Sequence, residues 1–280
     1  MNNFEIYKLG QAGLTNQQIL NVLKYQELQD RELSADEYAV ASECRNPAVF
    51  IENYNHLDDD YLKKEFEKFP SFSILDDVYP WDLCEIYDAP ALLFYQGNLN
   101  LLKFPKLGVV GSRDCSRDGV KSVEKIINEL GRELVIVSGL ARGIDTAAHM
   151  AALHSGGKTI AVIGTGLDVY YPRANKNLQK YLGENHLVLS EYAPGAEPLK
   201  HHFPARNRII AGLSRGVLVA EAKVRSGSLI TCERAMEEGR DIFAIPGSII
   251  SGKSDGCHHL IQEGAKCVTT GQDILSEFSF

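Results

Sequence analysis

The sequence has no apolar run approaching the ~20 residues that a membrane-spanning helix needs. Its first residues, MNNFEIYKLG, lack the basic start and apolar core of a signal peptide. Nothing points to export, and the cytoplasm is the expected location. There is no internal repeat and no low-complexity tract. None of the six cysteines stands in a CxxC pair, which argues against a zinc site or a thioredoxin-type site. Free thiols in a reducing compartment are the simpler reading. An excess of positive charge is missing too: the net charge is −8, which taken alone argues against a nucleic-acid partner.

Two phosphate-binding signatures are present only as fragments. Gly156-Gly157-Lys158-Thr159 resembles the end of a Walker A loop, but the first glycine of that motif falls at Ala152 and the segment precedes a strand. It reads as a helix end and turn, with no ATPase activity expected. Gly164-Thr165-Gly166 begins like GxGxxG, yet the third position is Val169 and Pro172 interrupts the helix that should follow. The pairs His201-His202 and His258-His259 are poor joint metal ligands, because adjacent side chains diverge. No cofactor and no metal is expected.

What is there is an ordinary globular composition, 44% hydrophobic and 24% charged over 280 residues, room for one large domain and a small one. The charge is unevenly placed. Residues 1–104 carry 8 Lys+Arg against 18 Asp+Glu, whereas residues 105–280 carry 21 against 19. The acidity therefore belongs to the N-terminal part. That part shows short helical patterns to about residue 69, with Thr15 or Asn16 as a cap and Asp58-Asp59-Asp60 as a solvated helix start. The expected division is a helical domain over 1–70, a connector with a first edge strand over 71–104, and a sheet domain over 105–280.

From Leu107 to Asp145 the pattern is strand, glycine turn, helix, strand, glycine turn: a βαβ unit. Further strands are expected at 91–95, 159–163, 187–190, 216–220, 241–245 and 266–269, most of them separated by helices. This is an α/β fold, a doubly wound, mostly parallel sheet. In such sheets ligands bind beyond the carboxyl ends of the strands. Four turns there place Arg113, Arg142, Arg173, Lys176, Arg206 and Arg208, and two of them add Tyr170, Tyr171 and Phe203. Basic groups interleaved with exposed aromatics suit a single-stranded nucleic acid. Gly111 and Ser112 complete the first turn. Asn207 and Asp145 either orient arginines or touch ligand. Ser226-Gly227-Ser228-Leu229-Ile230-Thr231-Cys232-Glu233 opens another helix: Gly227, Ser228 and Thr231 can hold a phosphate there, or the segment is a packed helix entry with Glu233 pairing an arginine.

The chain resembles the DNA-processing protein A (DprA/Smf) family of bacteria. The resemblance rests on GSR at 111–113, SGLARGID at 138–145, GTGLDVYYP at 164–172, SEY at 190–192, FPARNRIIAGLSRG at 203–216 and SGSLITCERAMEEGRDIFAIPG at 226–247, with YPWDLCEIYDAPALLFYQG at 79–97. It departs in Asp88-Ala89-Pro90, where Asp-Pro-Pro is commoner, and at His258, where many members have asparagine. The resemblance implies an extended Rossmann-like domain behind a sterile-alpha-motif-like helical domain, as in members from naturally transformable Gram-positive bacteria. It implies a non-enzymatic mediator that binds and protects single-stranded DNA in natural transformation and loads RecA onto it. Gly111 and Arg113 match the DNA-pocket motif, and Arg173 and Lys176 the basic turn. A homodimer face would include His258, Ile261 and Cys267, and Met236 and Gln262 would contact RecA. The N-terminal acidic module would dock a regulator. The alternative is a nucleotide-processing enzyme of the phosphoribohydrolase-like superfamily, whose Gly-Gly-x-Gly-Thr-x-x-Glu signature the segment to Glu233 echoes incompletely.

Overall fold

The computed structural model describes residues 1–29, 31–224 and 226–278. Five helices come first: α1 (Asn3–Gln11), α2 (Asn16–Glu27), α3 (Ala35–Ala41), α4 (Pro47–His56) and α5 (Asp59–Phe66). All but α4, which opens on Pro47, start at a side-chain cap. Thr15 and Gln18 form a reciprocal capping box on α2, Ser34 and Glu37 do the same on α3, and Asp58 caps α5. Because Thr15 takes the cap, Asn16 is free to bond elsewhere. It donates to Asp88 at 2.7 Å and accepts from the Ala91 amide at 2.8 Å, which ties the helices to the following segment.

That segment is built into the sheet. It supplies β1 (Ser71–Ser73), the short helix α6 (Trp81–Cys84) and β2 (Leu92–Gly97). The strand β1 was not expected: three residues are too short to carry a period-2 signal. The remaining elements alternate. They are β3 (Lys106–Gly111), α7 (Arg117–Leu130), β4 (Val135–Ser138), α8 (Ile144–His154), β5 (Lys158–Ile163), α9 (Lys176–Asn185), β6 (Leu187–Ser190) and α10 (His202–Leu213). Then follow β7 (Gly216–Ala220), α11 (Gly227–Glu237), β8 (Asp241–Ala244), α12 (Asp255–Gln262), β9 (Lys266–Cys267) and α13 (Gly271–Leu275).

The nine described strands form one sheet in the order β1-β2-β6-β5-β4-β3-β7-β8-β9. β3 through β9 are mutually parallel; at one edge β2 pairs antiparallel with β6, with Phe94 opposite Ser190, and β1 pairs antiparallel with β2. Buried strands facing helices on both sides read as continuous apolar runs. Along β3, Val110 packs with α10 and α11 on one face, while Leu107 and Val109 pack with α7, α8 and α13 on the other. The stripe Val123, Ile126, Ile127 and Leu130 fixes α7 there. The N-terminal helices cover the same side further along: Ile6, Leu9, Val22 and Phe50 share one apolar cluster with Phe94, Ala161, Ile163 and Val188.

The topology places the functional site. From β3 the chain steps outward through β4, β5 and β6, then returns across the sheet to β7 on the opposite side of β3. The winding reverses between β3 and β7, and there the strand ends leave a crevice open.

Candidate functional site

A cleft of about 730 Å³ opens at that reversal. The turn after β3 supplies Gly111, Ser112, Arg113 and Asp114. The turn after β4 supplies Ala141 and Asp145. Tyr171 comes from the loop after β5, and Lys200, Phe203, Pro204, Arg206 and Asn207 from α10 and its approach. Lys223, Ser226, Gly227, Ser228, Ile230 and Thr231 come from β7–α11. Five segments far apart in sequence thus meet around one opening.

Three of the expected residues form a stack at the rim. The Arg113 guanidinium carbon lies 5.5 Å from the centre of the Phe203 ring. The Phe203 ring in turn lies 5.3 Å from the Tyr171 ring, tilted 37°. Arg113 is exposed and Tyr171 is 44% exposed, so the stack presents a cation and an open aromatic face to solvent. Ser112 is held by its backbone, its amide donating to the Glu221 carbonyl at 2.9 Å. Gly111 is required by packing: a Cβ there would sit 2.0 Å from the Ala220 carbonyl oxygen.

The floor is different. Arg206 is buried, and its guanidinium donates to the Val162 carbonyl and to Asn207 Oδ1 at 3.1 Å. It lies directly over Gly139, where a Cβ would come within 2.1 Å of it. That contact explains the glycine in Ser138-Gly139-Leu140. Burial pushes the Arg206 pKa down to about 10, against the attraction of Asp145, so it stays cationic at neutral pH. Burial also raises the pKa of Asp145, partly offset by Arg206. Asn207 therefore orients Arg206 while its own amide reaches the Gly227 carbonyl at 3.4 Å.

Behind the floor, His149 Nδ1 donates to Thr159 Oγ1 at 2.7 Å, because the single hydroxyl hydrogen of Thr159 goes to the Ile136 carbonyl. His149 Nε2 is then an acceptor with no partner among the described residues. Burial, reinforced by the charge of Arg206, holds the His149 pKa down to about 3.

The helix starts around the cleft are not equivalent. Glu221 turns its carboxylate onto α7, accepting from the Ser116 amide at 2.8 Å and from Ser116 Oγ at 2.6 Å. Its backbone adopts φ 53°, a left-handed conformation that costs of order 1 kcal/mol or more and that the carboxylate's bonds sustain. An internal anion thus already occupies the α7 start. At α8 the buried Asp145 carboxylate accepts from the Ala141 amide. Among the described residues the α11 start has no side-chain cap.

Other expected residues lie outside the cleft. Arg208 does not reach it. Its guanidinium donates to Glu191 at 2.8 Å and to Asp88 at 3.0 Å. Burial opposes its charge, but Glu191 and Asp88 outweigh burial and raise its pKa. It clamps the connector to α10, and the reading of Arg208 as a ligand contact is corrected accordingly. Arg142, Arg173 and Lys176 are exposed beyond the cleft lining. Lys176 and Lys180 lie 5.1 and 5.8 Å from the Tyr170 ring, making a second basic and aromatic patch on α9. Glu233 is exposed on α11 and does not line the cleft, so the acid of the alternative enzymatic reading is displaced from it. At the far edge, His258 Nε2 lies 3.0 Å from the Gly247 carbonyl, Ile261 is half-buried, and Cys267, Gln262 and Met236 are exposed. Among the described residues β9 pairs only with β8, so its other side is open there.

Lys200 and Lys223 were not anticipated. Lys223 follows the end of β7, so the rule that singled out Arg113 and Arg142 would have found it. Lys200 has no such signal, since it precedes a helix after a long loop.

The comparisons with known proteins agree along the whole chain. The family model described as DNA recombination-mediator protein A matches residues 71–279, and that of the DNA processing protein A sterile alpha motif domain matches residues 1–62. The chain is 75% identical to DNA processing protein DprA of Streptococcus pneumoniae over 280 residues, covering all of this chain and 99% of that one. It is 46% identical to the Bacillus subtilis DprA over 201 residues, 71% of this chain and 68% of the other. The fold superimposes on the X-ray structure of the S. pneumoniae protein with a TM-score of 0.98 at 75% identity, covering 100% of this chain and 99% of that one. It also matches DNA processing protein A from Helicobacter pylori, solved to describe that protein's single-stranded DNA binding mode. There the TM-score is 0.67 at 30% identity, over 75% of this chain and 96% of the other.

Proposed function

The chain belongs to the DNA recombination-mediator protein A family, and from that premise we propose that its cleft binds single-stranded DNA, which the protein protects and delivers to RecA during natural transformation. The observation that carries this reading is the Arg113–Phe203–Tyr171 stack at the mouth of the cleft. A base stacked on an exposed aromatic is worth about 1–3 kcal/mol, and the stack serves any base because each has a π-face. Arg113, Lys200 and Lys223 at the rim supply charge for the phosphates, with Arg206 fixed below. Arg142, Arg173 and the α9 patch of Lys176 and Lys180 lie outside the cleft and offer the strand a continued path.

Self-association is proposed through the open β9 edge, with His258, Ile261 and Cys267 at the contact. RecA is proposed to meet the exposed Met236 and Gln262. A dimer would offer two clefts to one strand, and the second engagement would be intramolecular and correspondingly stronger.

The test is a titration of labelled oligothymidylate against wild type, Arg113→Ala and Arg173→Ala, repeated with duplex and at rising salt. Arg113→Ala is expected to bind roughly tenfold more weakly while melting like wild type, and wild-type affinity should fall steeply with salt. Arg173→Ala should bind more weakly by a smaller factor. If both folded variants bound as tightly as wild type, the cleft would not be the DNA site.

A further inference from the structure

The cleft contains one group whose hydrogen-bonding capacity is unspent. Thr231 is 1% exposed and lines the cleft, and its Oγ1 has no partner among the described residues. A buried hydroxyl without a partner has lost its bonds to water and gained none in return, so native structures rarely leave one without a use. Thr231 stands four residues beyond Gly227, on the same side of α11. Gly227 opens that helix, and the Ser226 side chain does not cap it. The Ser226 and Ser228 hydroxyls lie 2.9 Å apart and engage one another. The first amides of α11 therefore point their donors, with the positive end of the helix dipole, toward a cleft that also holds Lys223 and Arg206. The neighbouring α7 start, by contrast, is filled by Glu221.

We propose that the start of α11 is a phosphate seat. The amides of Gly227 and Ser228 and the Thr231 hydroxyl hold one phosphate of a nucleotide whose base rests on Phe203 and Tyr171. This rests on the reading that the cleft takes single-stranded DNA, and deepens it: the cleft binds one nucleotide unit in two places, a stacked base and a helix-bound phosphate. Arg113 then grips the strand beside the base, not at the seat. Ser226, Gly227 and Ser228 at the helix start are small, which lets an anion approach the backbone there closely.

The test uses the full-length protein and a variant that deletes a donor without altering the helix. Ser226 already has φ −84° and ψ 156°, the extended conformation that a residue before proline prefers, and a Cβ at Gly227 meets nothing within 4 Å. Proline is well tolerated at the first helical position, so Gly227→Pro removes one N–H and little else. Gly227→Ala keeps that N–H and serves as its reference. Gly227→Pro should bind oligothymidylate roughly tenfold more weakly than Gly227→Ala, and Thr231→Val should weaken binding by a smaller factor. Thymidine 5′-monophosphate should displace the oligonucleotide from wild type at concentrations where thymidine does not, and Gly227→Pro should narrow that difference. Melting temperatures check that each variant is folded.

If Gly227→Pro and Gly227→Ala bind alike, whether both strongly or both weakly, the amide is not a ligand donor and the seat is wrong. Should Arg113→Ala still lose binding in that case, the DNA reading stands without the seat. If wild type itself fails to bind oligothymidylate, the reading beneath the proposal falls, and only specific displacement by the monophosphate of a bound mononucleotide would keep the seat.

Discussion

The rim and the floor of the cleft are built from the same residue type and behave oppositely. Arg113 at the rim is exposed and lies against a half-open aromatic stack. Arg206 on the floor is buried, donates to the Val162 carbonyl and to Asn207, and is drawn electrostatically to Asp145. Arg208, two residues on, turns to the other side of α10 and joins Glu191 and Asp88. An arginine whose donors are already matched contributes rigidity and background field. One whose donors face water has binding energy left to offer a ligand. The difference divides the site into a part that holds the fold and a part that meets the strand.

That division is broken most directly at the floor. Arg206→Met keeps apolar volume but leaves the Val162 carbonyl without its donor and the buried Asp145 without a compensating positive charge, so urea denaturation should show a loss of about 3–5 kcal/mol. A loss under about 1 kcal/mol would place Arg206 with the rim. The next effect lies behind the floor. The folded pKa of His149, about 3, is below its unfolded value of 6.5, so the unfolded chain binds the extra proton. Stability is therefore complete above pH 6.5 and lost as the pH falls toward 3, by about 3 kcal/mol at pH 4 from this group alone. His186 and His202, whose pKa values burial also lowers, add in the same sense. His149→Phe should flatten the pH dependence of the unfolding midpoint between pH 6.5 and 4; an unchanged slope would show that the proton goes elsewhere. The smallest effects belong to the rim. Lys200→Ala and Lys223→Ala should melt like wild type and each reduce the salt slope of single-strand binding by about one. Either one lowering the melting temperature by several degrees would move that lysine to the structural side.

Much of this arrangement is legible in the residue pattern. The β3–α7–β4 unit, the parallel strands after it and the helical N-terminal part follow from periodicity and caps, because buried strands and amphipathic helices impose local spacing. Gly111, Arg113, Tyr171 and Phe203 follow from a rule about strand ends. The fate of Arg208 does not: Asp88 and Glu191 are 120 and 17 residues away from it, and no local signal brings them there. Glu221 is equally opaque, since its role is to reach Ser116, 105 residues earlier. The strand β1 is invisible because its three residues acquire meaning only beside β2.

The amino-acid order by itself determined most of the strands and helices, β1 excepted, how the charge is split between the two halves, and which turns are small, basic and aromatic. Those are properties of neighbours along the chain, where turn chemistry and side-chain period act over a few residues. Only the tertiary structure decided that β7 returns beside β3, that one arginine of three faces water, and that the α7 start is closed by a carboxylate while the α11 start stays open. Each of these is a choice among partners distant in sequence, settled by which buried donors and acceptors the completed sheet leaves without a match.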